Sequence, residues 1–310
     1  MRAHVRPPIL LGIAILLSLA LASFAPKVHL GIIEVLFLLA TWIVVPLGAD
    51  LVHNAGVSKS SAFRDWVLFT AALLSTVSFF LDNRIAAAWF ACSWLLVCAG
   101  FAGDGVRRFV KSGTRAFPQF CFAVGEGYLL VAGIWLVASR AGLPLLAFGE
   151  PIVLLTAVHF HFAGFASAVL AGLVDEAFVG HRGRRVLRAA LLAVVLGPAI
   201  LGLAFLVGPK VKLVAALVIA SGQIGLAASM VHAGLAANSR SGRWLLVVAS
   251  ACVAAGMILA GVWAIGEYPL QAFVNIRQMA EFHGVLNGVG FVVCGLLGWT
   301  LVKAEQAAWS

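Results

Sequence analysis

Residues 151–174 read PIVLLTAVHFHFAGFASAVLAGLV, 24 positions without one Asp, Glu, Lys or Arg. As a helix this stretch rises about 36 Å, more than the roughly 30 Å hydrocarbon core of a bilayer. Its apolar residues run on without the alternation of a barrel strand, so the spanning element is a helix. Runs of the same kind recur on both sides of it. The spans fall at roughly 8–25, 30–52, 66–82, 85–102, 119–139, 151–174, 189–208, 211–236, 244–266 and 278–301. The expected fold is all-α: a polytopic transmembrane helix bundle of about ten spans, forming a single integral membrane domain. Composition agrees, with 63% hydrophobic and 11% charged residues, where a soluble domain carries about 25% charged. The first run follows Arg2 and Arg6 like a signal peptide. No charged mature domain comes after it, so it is read as a retained helix.

Charge fixes an orientation. With the N-terminus in the cytoplasm, the inner segments hold 15 of the 21 Lys and Arg. The outer loops hold only Lys27, Arg84, Arg140, Lys210, Lys212 and Arg277. This is the positive-inside pattern, and it puts both termini in the cytoplasm of a bacterial cytoplasmic (inner) membrane. The same asymmetry accounts for the formal charge of +9. Arg107-Arg108 and Arg182-Gly183-Arg184-Arg185 are therefore topology signals beside anionic lipid, and no nucleic-acid partner is expected. The five cysteines, at 92, 98, 121, 252 and 294, all lie inside spans and form no Cys-x-x-Cys pair. They read as small buried apolar residues, not as a zinc site.

Against this apolar background a few polar residues stand out. Ionisable groups inside a membrane usually face the bundle interior and mark function. His159 and His161 lie roughly 12–15 Å below the outer boundary at about 1.5 Å per residue. Glu281, His283 and Asn287 lie on the outer side of the last span, Glu34 near the outer end of the second, and Glu126 and Tyr128 deeper in the fifth. Glu34 and Glu126 have apolar sequence neighbours, and a lone carboxyl in hydrocarbon is held neutral and can donate a proton. Asp50, His53, Asp65, Asp104, Asp175, Glu176 and His181 fall at the cytoplasmic surface and read as solvated helix-end residues. His159 and His161 are about 200° apart on a helix, so they point to different sides. His283 and Asn287, at i and i+4, share a face.

Three quoted elements carry a resemblance. They are Ile33-Glu34-Val35-Leu36-Phe37 running on to Val45-Pro46-Leu47-Gly48, then Thr156-Ala157-Val158-His159-Phe160-His161-Phe162-Ala163-Gly164-Phe165, then His283-Gly284-Val285-Leu286-Asn287-Gly288-Val289-Gly290-Phe291. Together they resemble the YndJ-like family of bacterial membrane proteins, sometimes labelled transporters. The resemblance marks Glu34, His159, His161, His283 and Asn287 without supplying a reaction. A second, local resemblance links Val158-His159-Phe160-His161-Phe162 to subunit I of the haem–copper oxidases. It implies haem through His159 or His161. The chain departs from that pattern in having no adjacent His-His pair and no His-Pro-Glu-x-Tyr element.

Three function classes fit these residues. The leading one is a cofactor-independent intramembrane cyclase or isomerase. It would use general acid–base chemistry to isomerise, cyclise or open the epoxide of a lipophilic small molecule such as a terpenoid or polyketide. Glu34 or Glu126 is its candidate acid, His159, His161 or His283 its base, and Asn287 and Tyr128 its orienting groups, with Glu281 completing the catalytic set. Trp135, Phe160, Phe165 and Phe282 would shape the pocket and face a developing cation. The alternatives are a proton-coupled transporter, in which buried Glu and His form a relay, and a haem-binding membrane protein. A zinc or di-metal hydrolase, with His159 or His161, His283 and a Glu as ligands, is a fourth and weaker option, and because the histidines lie on different helices spacing gives no test of it. The partners expected throughout are the lipid bilayer and a small molecule.

Overall fold

The computed structural model of the chain describes residues 7–22, 30–53, 59–267 and 276–309. Arg2, Arg6 and Lys27, which entered the charge pattern, lie outside them. Every regular element among the described residues is a helix: α1 (Pro7–Ala22), α2 (Ile32–His53), α3 (Lys59–Val77), α4 (Arg84–Ser112), α5 (Phe117–Ala141), α6 (Ile152–Ala177), α7 (Arg184–Val207), α8 (Pro209–Ala236), α9 (Arg240–Glu267) and α10 (276–309). Among the described residues nine of these are long and apolar enough to cross a membrane, and α1 is shorter at 16 residues. The chain is a polytopic helical membrane protein. Large apolar side chains such as Ile85, Trp89, Leu96 and Val186 point outward, which suits a hydrocarbon solvent and not water.

Helix ends follow local chemistry. Asn83 caps α4 by accepting from the N–H groups of Ile85 and Ala86, both at 3.0 Å. Gly113, at φ +55, ends it. The helix runs ten residues beyond the predicted 85–102 because Asp104, Arg107, Arg108 and Lys111 prolong it past the apolar run. Hydropathy registers the membrane level, not the end of the hydrogen bonds.

Three spans are not plain α-helices. Each carries a π-helical segment: Ala40–Val44 in α2, Phe160–Ala166 in α6 and Leu286–Val293 in α10. These are the spans that hold the quoted motifs, and they recur every fourth helix. The second residue of each segment is polar and bonds back to the preceding turn. Thr41 Oγ1 donates to Leu38 O at 3.1 Å, His161 Nδ1 meets Ala157 O at 2.8 Å, and Asn287 Nδ2 donates to His283 O at 2.7 Å. Such back-bonding competes with the regular ladder and bends a helix. In α2 Pro46 adds its missing N–H and its ring just beyond the segment.

The helices form two compact units: residues 1–113 with 122–165, and residues 114–121 with 166–310. In unit 1, α2 packs on α1, α3 and the first half of α6, and α3 on α4. Phe37, Leu38, Trp94, Leu129 and Leu136 are fully buried there. In unit 2, α8 packs between α7 and α9, α9 against α10, and the second half of α6 against α7, α8 and α10. Leu170, Leu173, Leu191 and Leu226 fill that core.

Candidate functional site

The most buried carboxylate of unit 1 is Glu126, with no exposed surface. Gly105 brings α4 close to it, since a Cβ there would fall 2.7 Å from the Ala123 carbonyl oxygen. That approach lets Arg108 of α4 reach across. Its Nε donates to Glu126 Oε2 at 3.1 Å, and a terminal nitrogen donates to Oε1 at 3.4 Å. The guanidinium also lies 5.9 Å over the Phe122 ring. On the other side, His53 at the end of α2 places Nε2 at 3.0 Å from Glu126 Oε1. The contact is close enough for an ion pair but is not aligned as a hydrogen bond, and Nε2 is buried without a hydrogen-bond partner among the described residues. Glu126 was expected to be a lone acid in apolar surroundings, with His53 solvated. Instead helix packing makes them one cluster with Arg108.

His161 is a different case. It is fully buried, with the edge of Phe37 against it at 5.4 Å between ring centroids. Trp94 Nε1 donates to its Nε2 at 3.0 Å. An indole N–H can only donate, so Nε2 accepts and Nδ1 carries the proton that the Ala157 carbonyl receives. Both ring nitrogens are used. His161 is therefore a neutral structural histidine in this arrangement, and it offers no nitrogen to haem, zinc or a substrate. Trp94→Phe should orphan Nε2 and lower stability by about 1–2 kcal/mol. Denaturant unfolding in mixed micelles measures it, and an unchanged midpoint would remove the pair from the account.

The remaining candidates of unit 1 take separate positions. His159 is exposed, on a different side of the helix from the buried His161. Its Nδ1 meets Leu155 O at 2.9 Å, which leaves Nε2 as its open nitrogen. Glu34 sits half-buried in the first turn of α2, within electrostatic reach of Arg140, as is Glu150. The Arg140 guanidinium stands 4.4 Å over the Phe79 ring. Glu34 is thus part of a charged group with Arg140 and Glu150 and not an isolated acid. The Tyr128 ring meets Phe160 at 5.4 Å, Trp135 is half-buried, and the fully buried Phe165 ring packs onto Gly48. Phe165 is core, not pocket wall.

In unit 2, His283 Nδ1 meets the Gly256 carbonyl of α9 at 3.0 Å. Asn287 lies where a side chain on Gly256 would be, so α9 and α10 touch at this point. The expected His283–Asn287 pair shares a face, but the amide is turned to the His283 backbone carbonyl. Glu281 pairs with Arg277 at 2.9 Å on the exposed side of α10, and Phe282 is exposed. Asp175 was read as solvated, yet it is fully buried. Arg184 and Arg188 grip it with four hydrogen bonds of 2.6–3.1 Å. Asp65 of unit 1 is also buried against the same expectation.

A family model described as YndJ-like protein matches residues 35–291. The chain belongs to the YndJ-like family. The membrane protein YndJ of Bacillus subtilis (strain 168) is 24% identical over 289 residues, 92% of this chain and 51% of the relative. The chain thus spans about half the length of the curated relative it matches. No solved structure matches it.

The YndJ-like region includes His53, Arg108, Glu126, His159, His161, His283 and Asn287, and Glu34 falls one residue before it. Its polar groups are distributed along the membrane. They form a charged group at Glu34 and Arg140, a sealed imidazole at His161 and an ion cluster at Glu126. Trp94, His53, Arg108, Asp175, Arg184 and Arg188 join these sites through packing between helices and are not among the residues expected from the sequence. One available signal is the depth of Glu126, since a carboxyl in hydrocarbon is either held neutral or paired with a cation.

Proposed function

We propose that this YndJ-like chain is a proton-coupled membrane transporter whose proton-responsive element is Glu126–Arg108–His53. The observation that carries the reading is His53 Nε2, buried without a hydrogen bond and 3.0 Å from a carboxylate oxygen with no exposed surface. A proton on that nitrogen turns a close approach into a salt bridge. A proton on Glu126 instead releases Arg108, a cation that an anionic solute can take up. Binding of proton and solute is thereby linked through one guanidinium. One further feature supports transport. Transporters place their solute and ion sites at interrupted helices, and three π-segments stand at the polar motifs.

The test is solute-driven proton movement in proteoliposomes loaded with a pH-sensitive dye, across a panel of small organic anions, amines and sugars. An internal pH change is expected for at least one anion, lost in Glu126→Gln and shifted along the pH axis in His53→Ala. Movement unchanged by both substitutions would overturn the role of the cluster.

A second reading keeps the intramembrane acid–base enzyme, and one observation favours it. His159 holds Nε2 open, at a level where the surroundings are hydrocarbon. It calls for a chemically altered product when a lipophilic panel is incubated with pure protein, and for loss of that product in His159→Gln.

A further inference from the structure

The flank of unit 1 at the start of α4 carries a groove of about 240 Å³, lined by Arg84, Ile85, Ala88, Trp89, Cys92 and Ala141. Arg84, Ala88 and Cys92 follow at i, i+4 and i+8, one stripe of a helix about 12 Å long. The short side chains of Ala88 and Cys92 make its floor. Ile85 and Trp89, both strongly exposed, form the ridge beside it. Ala141, at the end of α5, closes the other side.

One charge stands at the rim. The Arg84 guanidinium lies over Gly142, where any side chain would collide with it. Gly142 has φ +67 and closes α5: its N–H donates to Ser139 O at 3.0 Å, and the Leu143 N–H donates to Ala138 O at 2.9 Å. The carbonyl end of α5 draws the cation and fixes its place. The first N–H groups of α4 are already taken by Asn83, so the positive charge lining the groove is that of Arg84. Among the described residues no carboxylate pairs with it, and Asp82 does not line the groove. By the charge pattern of the loops this rim lies at the outer surface, at headgroup level, where an exposed Trp also belongs.

We propose that the groove is a site for an anionic phospholipid. One acyl chain lies on Ala88 and Cys92 between Trp89 and Ala141, and the headgroup phosphate rests on Arg84. The volume is below the roughly 300 Å³ at which small-molecule pockets begin, and it suits a stretch of one chain. A rim with a single cation and no anion favours phosphatidylglycerol over a zwitterionic lipid, whose ammonium would find no partner there. The site stands apart from the Glu126 cluster and does not depend on the transport reading.

Native mass spectrometry of the purified protein tests it, with phosphatidylglycerol, phosphatidylcholine and inorganic phosphate as probes. Phosphatidylglycerol should be retained about tenfold better than phosphatidylcholine, a difference of about 1.4 kcal/mol. Arg84→Gln should abolish the preference while leaving weak retention of both lipids. Ala88→Leu and Cys92→Leu leave the rim intact and fill the floor, so they should lower retention of both. Each variant is first matched to wild type in monodispersity and helicity. Equal retention of the two lipids by wild type overturns the headgroup assignment. Undiminished binding in both floor variants overturns the groove. Competition by inorganic phosphate as strong as by phosphatidylglycerol makes the ligand a free anion and overturns the lipid.

Discussion

Arg108→Leu lowers the unfolding free energy by about 3–5 kcal/mol, because it leaves Glu126 buried without its guanidinium. His53 does not replace the lost partner: its Nε2 reaches one carboxylate oxygen without a hydrogen-bond angle. Arg108→Leu with Glu126→Leu behaves differently. With both charges gone and apolar bulk in their place, most of the stability returns. Solute-linked proton movement does not. That split separates a cluster retained for function from one retained for the fold. Unfolding in mixed micelles, beside the proteoliposome assay, measures both halves. Full activity in the double variant would reduce the cluster to packing.

Asp175→Ala is expected to cost about 3 kcal/mol. It removes the acceptor of four charged hydrogen bonds and leaves Arg184 and Arg188 facing each other. The loss stays at the lower end of the range for a broken buried pair, because both arginines keep some exposure and can turn outward. Asp175→Asn retains an oxygen acceptor and should lose about half as much. The same unfolding measurement ranks the two. An Asn variant no better than Ala would show that charge, not hydrogen bonding, holds α7 to the end of α6.

Much of the fold was legible because hydrocarbon is a demanding solvent. A backbone crossing it must be a helix or a closed barrel, so residues 151–174 and their counterparts declare themselves by length, apolarity and the lack of alternation. Charge beyond the membrane is harder to place. Asp104 to Lys111 belong to α4 although they end its apolar run. The π-segments are invisible to hydropathy because the side chains around Thr41, His161 and Asn287 stay apolar while the hydrogen-bond register changes.

The candidate residues divide along the same line. That His159 and His161 face apart followed from helical geometry. That Trp94 occupies His161 did not, because the two are 67 residues apart and nothing local links them. Arg108 and His53 were read by position in the chain as inner-surface residues. Their true setting depends on how closely Gly105 lets α4 approach α5.

Arg108 and Glu126 stand 18 residues apart, on either side of the turn at Gly113. During biogenesis Glu126 would be a poor passenger alone, since a charged residue well inside a span costs the insertion machinery up to roughly 2.5–3.5 kcal/mol. Joined across a helical hairpin they enter as a near-neutral pair. This favours delivery of α4 and α5 to the bilayer together, so that one ion pair serves first as an admission device and later as part of the working protein.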